Sequence, residues 1–128
     1  MAHLGSVTLV VREYDEAITF YVDVLGFDLV EDTPLGDGKR WVVVRPPGAQ
    51  ETGVLLAKAD TSDQAARIGD QTGGRVGWLL NTQAFDRDYE RMRAAGVVFD
   101  EAPRHEPYGT VVVFQDLYGN RWDLIQLR

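Results

Sequence analysis

The sequence predicts an α+β fold of two β-α-β-β-β modules with pseudo-twofold symmetry and a curved mixed sheet around a cleft. The first observation behind this is an internal repeat with an offset of 71 residues (85 minus 14) or 70 residues (96 minus 26). Three pairs of segments carry the repeat: Tyr14-Asp15 with Phe85-Asp86, Gly26-Phe27 with Gly96-Val97, and residues 41–44 with 111–114. A repeat that continues through helix, glycine stop and strand indicates two copies of one structural module.

The chain length is the second observation, because 128 residues fit one domain but not two independent hydrophobic cores. We therefore expect a single domain, with module one at residues 1–60, a linker at 61–75 and module two at 76–128. Each module has one main helix for one sheet, so the other sheet face needs a cover. The second module, a partner chain or a ligand can provide it, and this requirement predicts the cleft.

In module one, β-branched residues at 6–11 predict a strand. Apolar residues at helical spacing, from Ala17 to Leu25, predict a helix that ends at Gly26. Three more strands are expected at residues 27–31, 40–45 and 53–58, with a turn around Pro34, Gly36 and Gly38.

Module two repeats the pattern after a short helix, which the capping-box spacing of Thr61 and Gln64 predicts at residues 61–68. A strand at 76–82 is followed by an apolar helical stripe that starts at Phe85, and Gly96 ends that helix. The remaining strands are expected at residues 97–100, 110–114 and 122–127, and a hairpin turn at residues 116–120.

Charge and composition exclude several classes of protein. The net charge is -7, from 20 acidic residues against 13 Lys and Arg, and no basic run is present, so binding to nucleic acid is not expected. The absence of cysteine excludes disulfides and thiolate metal sites. No apolar stretch is long enough to span a membrane. We therefore expect a cytoplasmic protein that binds neither nucleic acid nor membranes.

Two segments carry a resemblance to a known family. Residues 7–17 (VTLVVREYDEA), followed by Phe20-Tyr21 and residues 25–27 (LGF), resemble the vicinal oxygen chelate superfamily. Residues 95–97 (AGV) and 114–124 (FQDLYGNRWDL) are similar to its C-terminal signature. This superfamily contains glyoxalase I, the bleomycin-resistance proteins and the extradiol dioxygenases, so the resemblance implies the fold more narrowly than the chemistry.

The resemblance also implies a metal site between the modules, at the positions occupied here by Ser6, Leu55, Gly77 and Asp123. Only Asp123 is a competent ligand, and one carboxylate without an imidazole is not a catalytic ligand set. We therefore expect no metal and no cofactor. The alternative is an enzyme, a lyase, isomerase or dioxygenase, that binds a metal through a rearranged set such as His3, Glu51 and Asp123.

Five residues are the candidates for ligand binding: Trp41, Trp78, His105, Tyr108 and Asp123. Aromatic side chains on strands can line an apolar pocket, although such residues also form ordinary core. His105 lies in a proline-bounded segment that we expect to be a loop, where it either lines the pocket or faces solvent. Strand alternation places Asp123 on the face opposite Trp122, where it either points into the cleft or forms a structural ion pair.

These observations favour a metal-independent small-molecule binding protein of the bleomycin-resistance type. They identify no catalytic residues. No nucleophile elbow, glycine-rich phosphate loop or paired histidine motif is present. The enzyme described above is one alternative, and a non-catalytic protein-interaction module is another. We also expect a homodimer, because one helix per sheet leaves apolar surface to cover and sheet edges invite pairing.

Overall fold

The chain is an α+β protein with two mixed β-sheets and few helices, which confirms the fold class expected from the sequence. A computed structural model describes all residues from Met1 to Arg128. They form two compact units, Met1–Ile68 and Gly69–Arg128. None of the helices has the length and apolar character needed to cross a bilayer.

The first unit contains a four-stranded sheet in the order β1-β4-β3-β2, with β1 parallel to β4 and the other pairs antiparallel. Its strands are β1 (Ser6–Val11), β2 (Asp28–Gly36), β3 (Lys39–Arg45) and β4 (Gly53–Lys58). Its helices are α1 (Tyr14–Ile18), which continues as a π-helical turn at Thr19–Val24, and α2 (Ser62–Ala65). The Thr61 hydroxyl caps α2 by accepting a hydrogen bond from the Gln64 backbone N–H, as the spacing predicts.

The core of the first unit is mainly aliphatic. Alternation along β1, β3 and β4 places every second side chain on one sheet face, and these residues are buried: Leu9, Val11, Val42, Val44, Val54 and Leu56. Ala17 and Tyr21, on the helical segment that follows β1, are fully buried as well. The edge strand β2 is exposed along all nine of its residues.

The second unit repeats this topology. Its sheet has the order β5-β9-β8-β6, with β5 parallel to β9, which is the same permutation as in the first unit. The elements are β5 (Val76–Asn81), α3 (Phe85–Ala94), β6 (Val98–Phe99), β7 (Arg104–Glu106), β8 (Gly109–Gln115) and β9 (Arg121–Leu127). The added strand β7 pairs with β8 beyond the end of β6.

An aromatic ladder runs through the core of the second unit, beside buried aliphatic residues such as Val112 and Leu124. Successive ring contacts connect six side chains in the order Phe85, Tyr89, Phe99, Phe114, Trp122 and Trp78. The ring centroids in this ladder are 4.9 to 6.4 Å apart. Phe85 and Tyr89 belong to α3, so the ladder marks the sheet face that the helix covers.

Three local expectations are corrected. Strand β2 does not stop at residue 31 but runs through Pro34 to Gly36, because an edge strand tolerates a proline that cannot donate a ladder hydrogen bond. The strand expected at residues 97–100 is only Val98–Phe99. The segment around His105 is not a loop but strand β7, whose two flanking prolines lie just outside the paired residues.

Candidate functional site

Asp123 lies on the face of the second unit's sheet that the aromatic ladder does not use. Its neighbours in register are Leu79 on β5 and Val113 on β8, and paired residues of adjacent strands point to the same side. Trp122 and Leu124, the residues on either side of Asp123, are buried in the opposite face. The strand alternation expected from the sequence is therefore observed, and we call this second surface the Asp123 face.

The carboxylate of Asp123 is only incompletely satisfied by the protein. Its Oδ1 atom is buried and has no hydrogen-bond partner. Burial raises the pKa of Asp123 above its ordinary value, the positive charge of Arg104 opposes this, and the negative charge of Glu101 adds to it. A buried carboxylate oxygen without a partner is unusual in a native fold, so it indicates a position that a ligand atom can complete.

Arg104 and Glu101 form an ion pair beside Asp123. The Arg104 Nε donates to both carboxylate oxygens of Glu101, at 3.0 and 3.1 Å, and its second guanidinium nitrogen donates to Glu106 at 3.1 Å. Glu101 in turn accepts a hydrogen bond from the Val113 backbone N–H at 3.0 Å. The guanidinium of Arg104 is hydrogen-bonded to two other carboxylates. Arg104 therefore acts on Asp123 only through its positive charge.

Arg104 and Glu101 were not expected in the site from the sequence. Their spacing of three residues is a local signal, but this spacing supports an ion pair only in a suitable backbone conformation, and the strand Arg104–Glu106 was not recognised.

Tyr108, which was expected in the site, lies in the β7–β8 turn and is 49% exposed. Glu101, and to a smaller extent Tyr108, raise the pKa of Arg104, so Tyr108 lies near the ion pair beside Asp123.

The structure does not group Trp78 with Asp123 as the sequence interpretation expected. A bulge in β5 between Val76 and Trp78 shifts the register by one residue, so Trp78 pairs with Trp122 instead of Asp123. The two indoles stack with centroids 5.4 Å apart. Trp78 therefore packs in the aromatic ladder, and any contribution to binding from this residue acts through the shape of the sheet.

His105 also lies on the face opposite Asp123, because it pairs with Thr110 whereas Arg104 pairs with Val111. Its Nδ1 is 3.2 Å from the Thr110 hydroxyl oxygen. The ring lines a groove of about 520 Å³ that also includes Phe85 and Gln126. Because the Gln126 side chain accepts from the Phe85 backbone N–H at 2.8 Å, the first turn of α3 is already capped there.

Trp41 is the candidate site residue of the first unit. It lies on β3 and is 43% exposed, so it is not a core residue. Its side chain lines a groove of about 390 Å³ within that unit, together with Leu35 and Leu55.

The residues at the family's metal positions do not fit a metal ion. Ser6 offers a neutral hydroxyl, Leu55 a hydrocarbon and Gly77 no side chain. A Cβ atom added at Gly77 would lie only 2.8 Å from the methyl group of Thr72, so there is little space for a ligand side chain at this position. No three His, Asp or Glu side chains form a group able to hold a metal ion. The alternative ligands His3 and Glu51 are both exposed side chains. Asp123 alone does not provide the ligand set of a catalytic divalent metal.

Comparison with known proteins gives consistent matches over the chain. A family model described as Glyoxalase/Bleomycin resistance protein/Dioxygenase superfamily matches residues 3–124. A protein of Shewanella frigidimarina (strain NCIMB 400) is 55% identical over 122 residues, which cover 94% of this chain and 90% of that protein. UcmS2, which has a crystal structure, is 34% identical in sequence to this chain, and the two structures superpose with a TM-score of 0.85 over 98% of both chains. TnmS3, an antibiotic binding protein from Streptomyces sp. CB03234, is 32% identical, with a TM-score of 0.80 over 100% of this chain and 98% of that chain.

Proposed function

The chain belongs to the glyoxalase/bleomycin resistance protein/dioxygenase superfamily, and on that premise we propose that it binds a small organic molecule without using a metal ion. The proposed site in the second unit is the Asp123 face, with Asp123 as the polar anchor and Tyr108 at its side. Trp41 is the proposed aromatic contact in the first unit. Trp78 and His105 are proposed to act from the opposite sheet face, by supporting the shape of the sheet.

The observation that carries this proposal is the partnerless Oδ1 atom of Asp123 on a sheet face whose neighbouring side chain, Leu79, is 62% exposed. Ligand sites combine apolar walls with a few polar groups that fix orientation, and this face has both elements. The similarity to TnmS3 supports a binding function for the same fold. The donor set at the family's metal positions supports binding in preference to metal-dependent turnover.

Asp123→Asn is the variant that tests this proposal, because it keeps the side-chain volume and removes the charge. Glu90→Gln is the matched control: it changes the net charge equally at an exposed position on α3. Both variants and the wild-type chain are titrated by calorimetry with a panel of natural-product antibiotics and small aromatic metabolites. We expect at least one panel compound to bind wild type and Glu90→Gln alike and to bind Asp123→Asn more weakly.

Equal affinity of that compound for all three proteins would remove Asp123 from the site. A panel without any binder, together with one equivalent of a divalent metal in protein purified without chelators, would replace the proposal with the enzyme alternative.

We further propose that the protein acts as a cytoplasmic homodimer. The exposed apolar side chains Leu29, Val30 and Leu35 on the edge strand β2 support self-association. A particle mass of 14.3 kDa, measured by light scattering at micromolar concentration, would contradict the homodimer.

A further inference from the structure

The first unit contains a groove where two neighbouring strands stop pairing. The register of β3 with β4 covers only the three pairs from Val42–Leu56 to Val44–Val54. Strand β3 begins three residues earlier, at Lys39, and β4 continues to Lys58. The groove of about 390 Å³ is lined by the ends of β3 and β4 that do not pair with each other, by the β2–β3 hairpin and by the segment that leads to α2. A groove of this size accepts a one- or two-ring molecule.

The apolar part of the groove is centred on the exposed indole of Trp41. Leu35, on the hairpin, is 59% exposed and lies in the same groove, and Leu55 and Ala57 of β4 complete its apolar lining. Among aromatic side chains, an exposed indole is the best partner for a cation, and it can also stack with a planar ring. This part of the groove therefore fits an aromatic ring.

The charged residues around the groove leave one negative charge without a partner. All three cations in the lining are paired: Lys39 with Asp60 at 3.2 Å, Arg40 with Asp15 and Asp32 at 2.7 Å each, and Lys58 with Glu13 at 3.2 Å. Asp37 also lines the groove, and it makes no ion pair or side-chain hydrogen bond. The uncompensated charge at this site is thus negative, which favours a cationic ligand and disfavours an anionic one.

The backbone holds Asp37 at a fixed place on the rim of the groove. Gly36 pairs with Lys39, so Asp37 and Gly38 form a two-residue hairpin turn, and both have positive φ angles, 55° and 79°. Positive φ at both central residues is the requirement of a type I′ turn, which Asp-Gly and Asn-Gly satisfy. Substitution of Asp37 by asparagine therefore removes the charge and keeps the turn.

We propose that this groove binds a cationic aromatic molecule, with the ring against Trp41 and the protonated nitrogen beside Asp37. We name this region the Trp41 groove. The proposal rests on the small-molecule contact proposed above for Trp41 and names its ligand class; it concerns the first unit alone and does not depend on the Asp123 face.

Three naphthalene compounds of equal ring size but different charge test the proposal: 1-naphthylmethylammonium, 1-naphthalenemethanol and 1-naphthoate. Each is titrated into the ¹⁵N-labelled full chain while the indole N–H resonances are followed. We expect the ammonium compound to shift the Trp41 indole at millimolar concentration or below, the alcohol to bind about two- to five-fold more weakly, and the carboxylate to bind least. Asp37→Asn should bring the ammonium compound to the affinity of the alcohol, and Trp41→Leu should remove the response of both.

Glu90→Gln serves as the control, because it removes the same charge at an exposed position on α3, outside both proposed sites, and should leave these titrations unchanged. Trp41→Phe is the second variant: it keeps an aromatic ring should Trp41→Leu disturb the sheet, and it should retain the preference for the ammonium compound. Equal binding of the three compounds to wild type would overturn the proposed charge selection. Absence of any shift at Trp41, or shifts centred on Trp78 and Trp122, would overturn the groove itself.

Discussion

The two units share one strand order but place their aromatic residues differently. In the first unit the buried strand residues are aliphatic, its buried aromatic residues Tyr14, Tyr21 and Phe27 lie outside the strands, and the one tryptophan, Trp41, is 43% exposed. In the second unit the aromatic ladder runs through the core, with Phe114 and Trp122 buried on its strands, and the opposite face carries a partly buried carboxyl group, Asp123. The same topology therefore supports two kinds of surface, one with an accessible indole and the other with an incompletely satisfied acid.

This difference shows that strand position does not determine what a tryptophan does. Trp41 and Trp78 both lie near the middle of a strand, yet one is accessible and the other stacks on Trp122. The face to which each points, and the cover on that face, decide whether the indole is accessible or packed. Substitutions at equivalent features of the two units can test this distinction directly.

The largest expected effect is on the stability of the aromatic ladder. Trp122 is buried between Phe114 and Trp78, so Trp122→Ala should lower the free energy of unfolding by about 3–5 kcal/mol. Trp41→Ala should cost about 1 kcal/mol or less, because exposed side chains contribute little to packing. Urea denaturation followed by circular dichroism measures both values. Similar losses for the two variants would mean that Trp41 is a core residue and that the comparison is wrong.

A smaller difference is expected between two glycines with positive φ. Gly48 has open space around the position of a Cβ atom, whereas a Cβ atom at Gly69 would overlap the backbone carbonyl oxygen of Tyr118. Gly48→Ala should cost about 1–2 kcal/mol for the left-handed conformation alone. Gly69→Ala should cost about 1–3 kcal/mol more, because the overlap adds to the same backbone strain. The same urea titrations give the difference, and equal costs would show that the Gly69 segment relaxes freely.

The smallest expected effect is opposite pH dependence at two acids. A hydrogen bond from Arg40 lowers the pKa of Asp32, whereas burial raises that of Asp123, both from an ordinary value of 3.8. The stability from Asp32 is present above 3.8 and is lost as the pH falls through its lowered pKa. The contribution of Asp123 is most favourable below 3.8 and is lost as the pH rises through its raised pKa.

At pH 7 Asp123→Asn should therefore be more stable than wild type by about 1 kcal/mol, the scale of one unsatisfied buried group. Asp32→Asn should be less stable by at most about 1 kcal/mol, because its ion pair lies at the surface. Both differences should diminish in acid, as measured by thermal melts between pH 3 and pH 7, a range that spans ordinary carboxylate titration. A stability difference for Asp123→Asn that stays constant over this range would show that its charge has no part in the effect.

Much of the fold could be predicted because local signals agree with the tertiary structure. The spacing of Thr61 and Gln64, the stop at Gly96 and the β-branched run at Ser6–Val11 each favour one conformation, and each is observed. The short strand β7 was missed because its three residues are too few to show a period. Its strand conformation depends on pairing with β8, a tertiary contact that three residues cannot signal by themselves.

Less of the candidate site could be predicted. Strand alternation alone placed Asp123 opposite Trp122, because side chains of a regular strand alternate without help from neighbours. The relation between Trp78 and Asp123 depends on pairing between two strands, and one bulge residue reverses it. The neighbours of Asp123, Arg104 and Glu101, come from a connection that only the folded chain brings to this face.

The sequence by itself determined the two modules, their helices and most of their strands, the negative net charge and the weak metal ligand set. These properties are local or compositional, so they hold whichever strands become neighbours. Only the tertiary structure decided that Trp78 is packed while Trp41 is accessible, and that the Asp123 oxygen has no partner. Register, bulges and burial decide these features, and each is a property of contacts between residues distant in the chain.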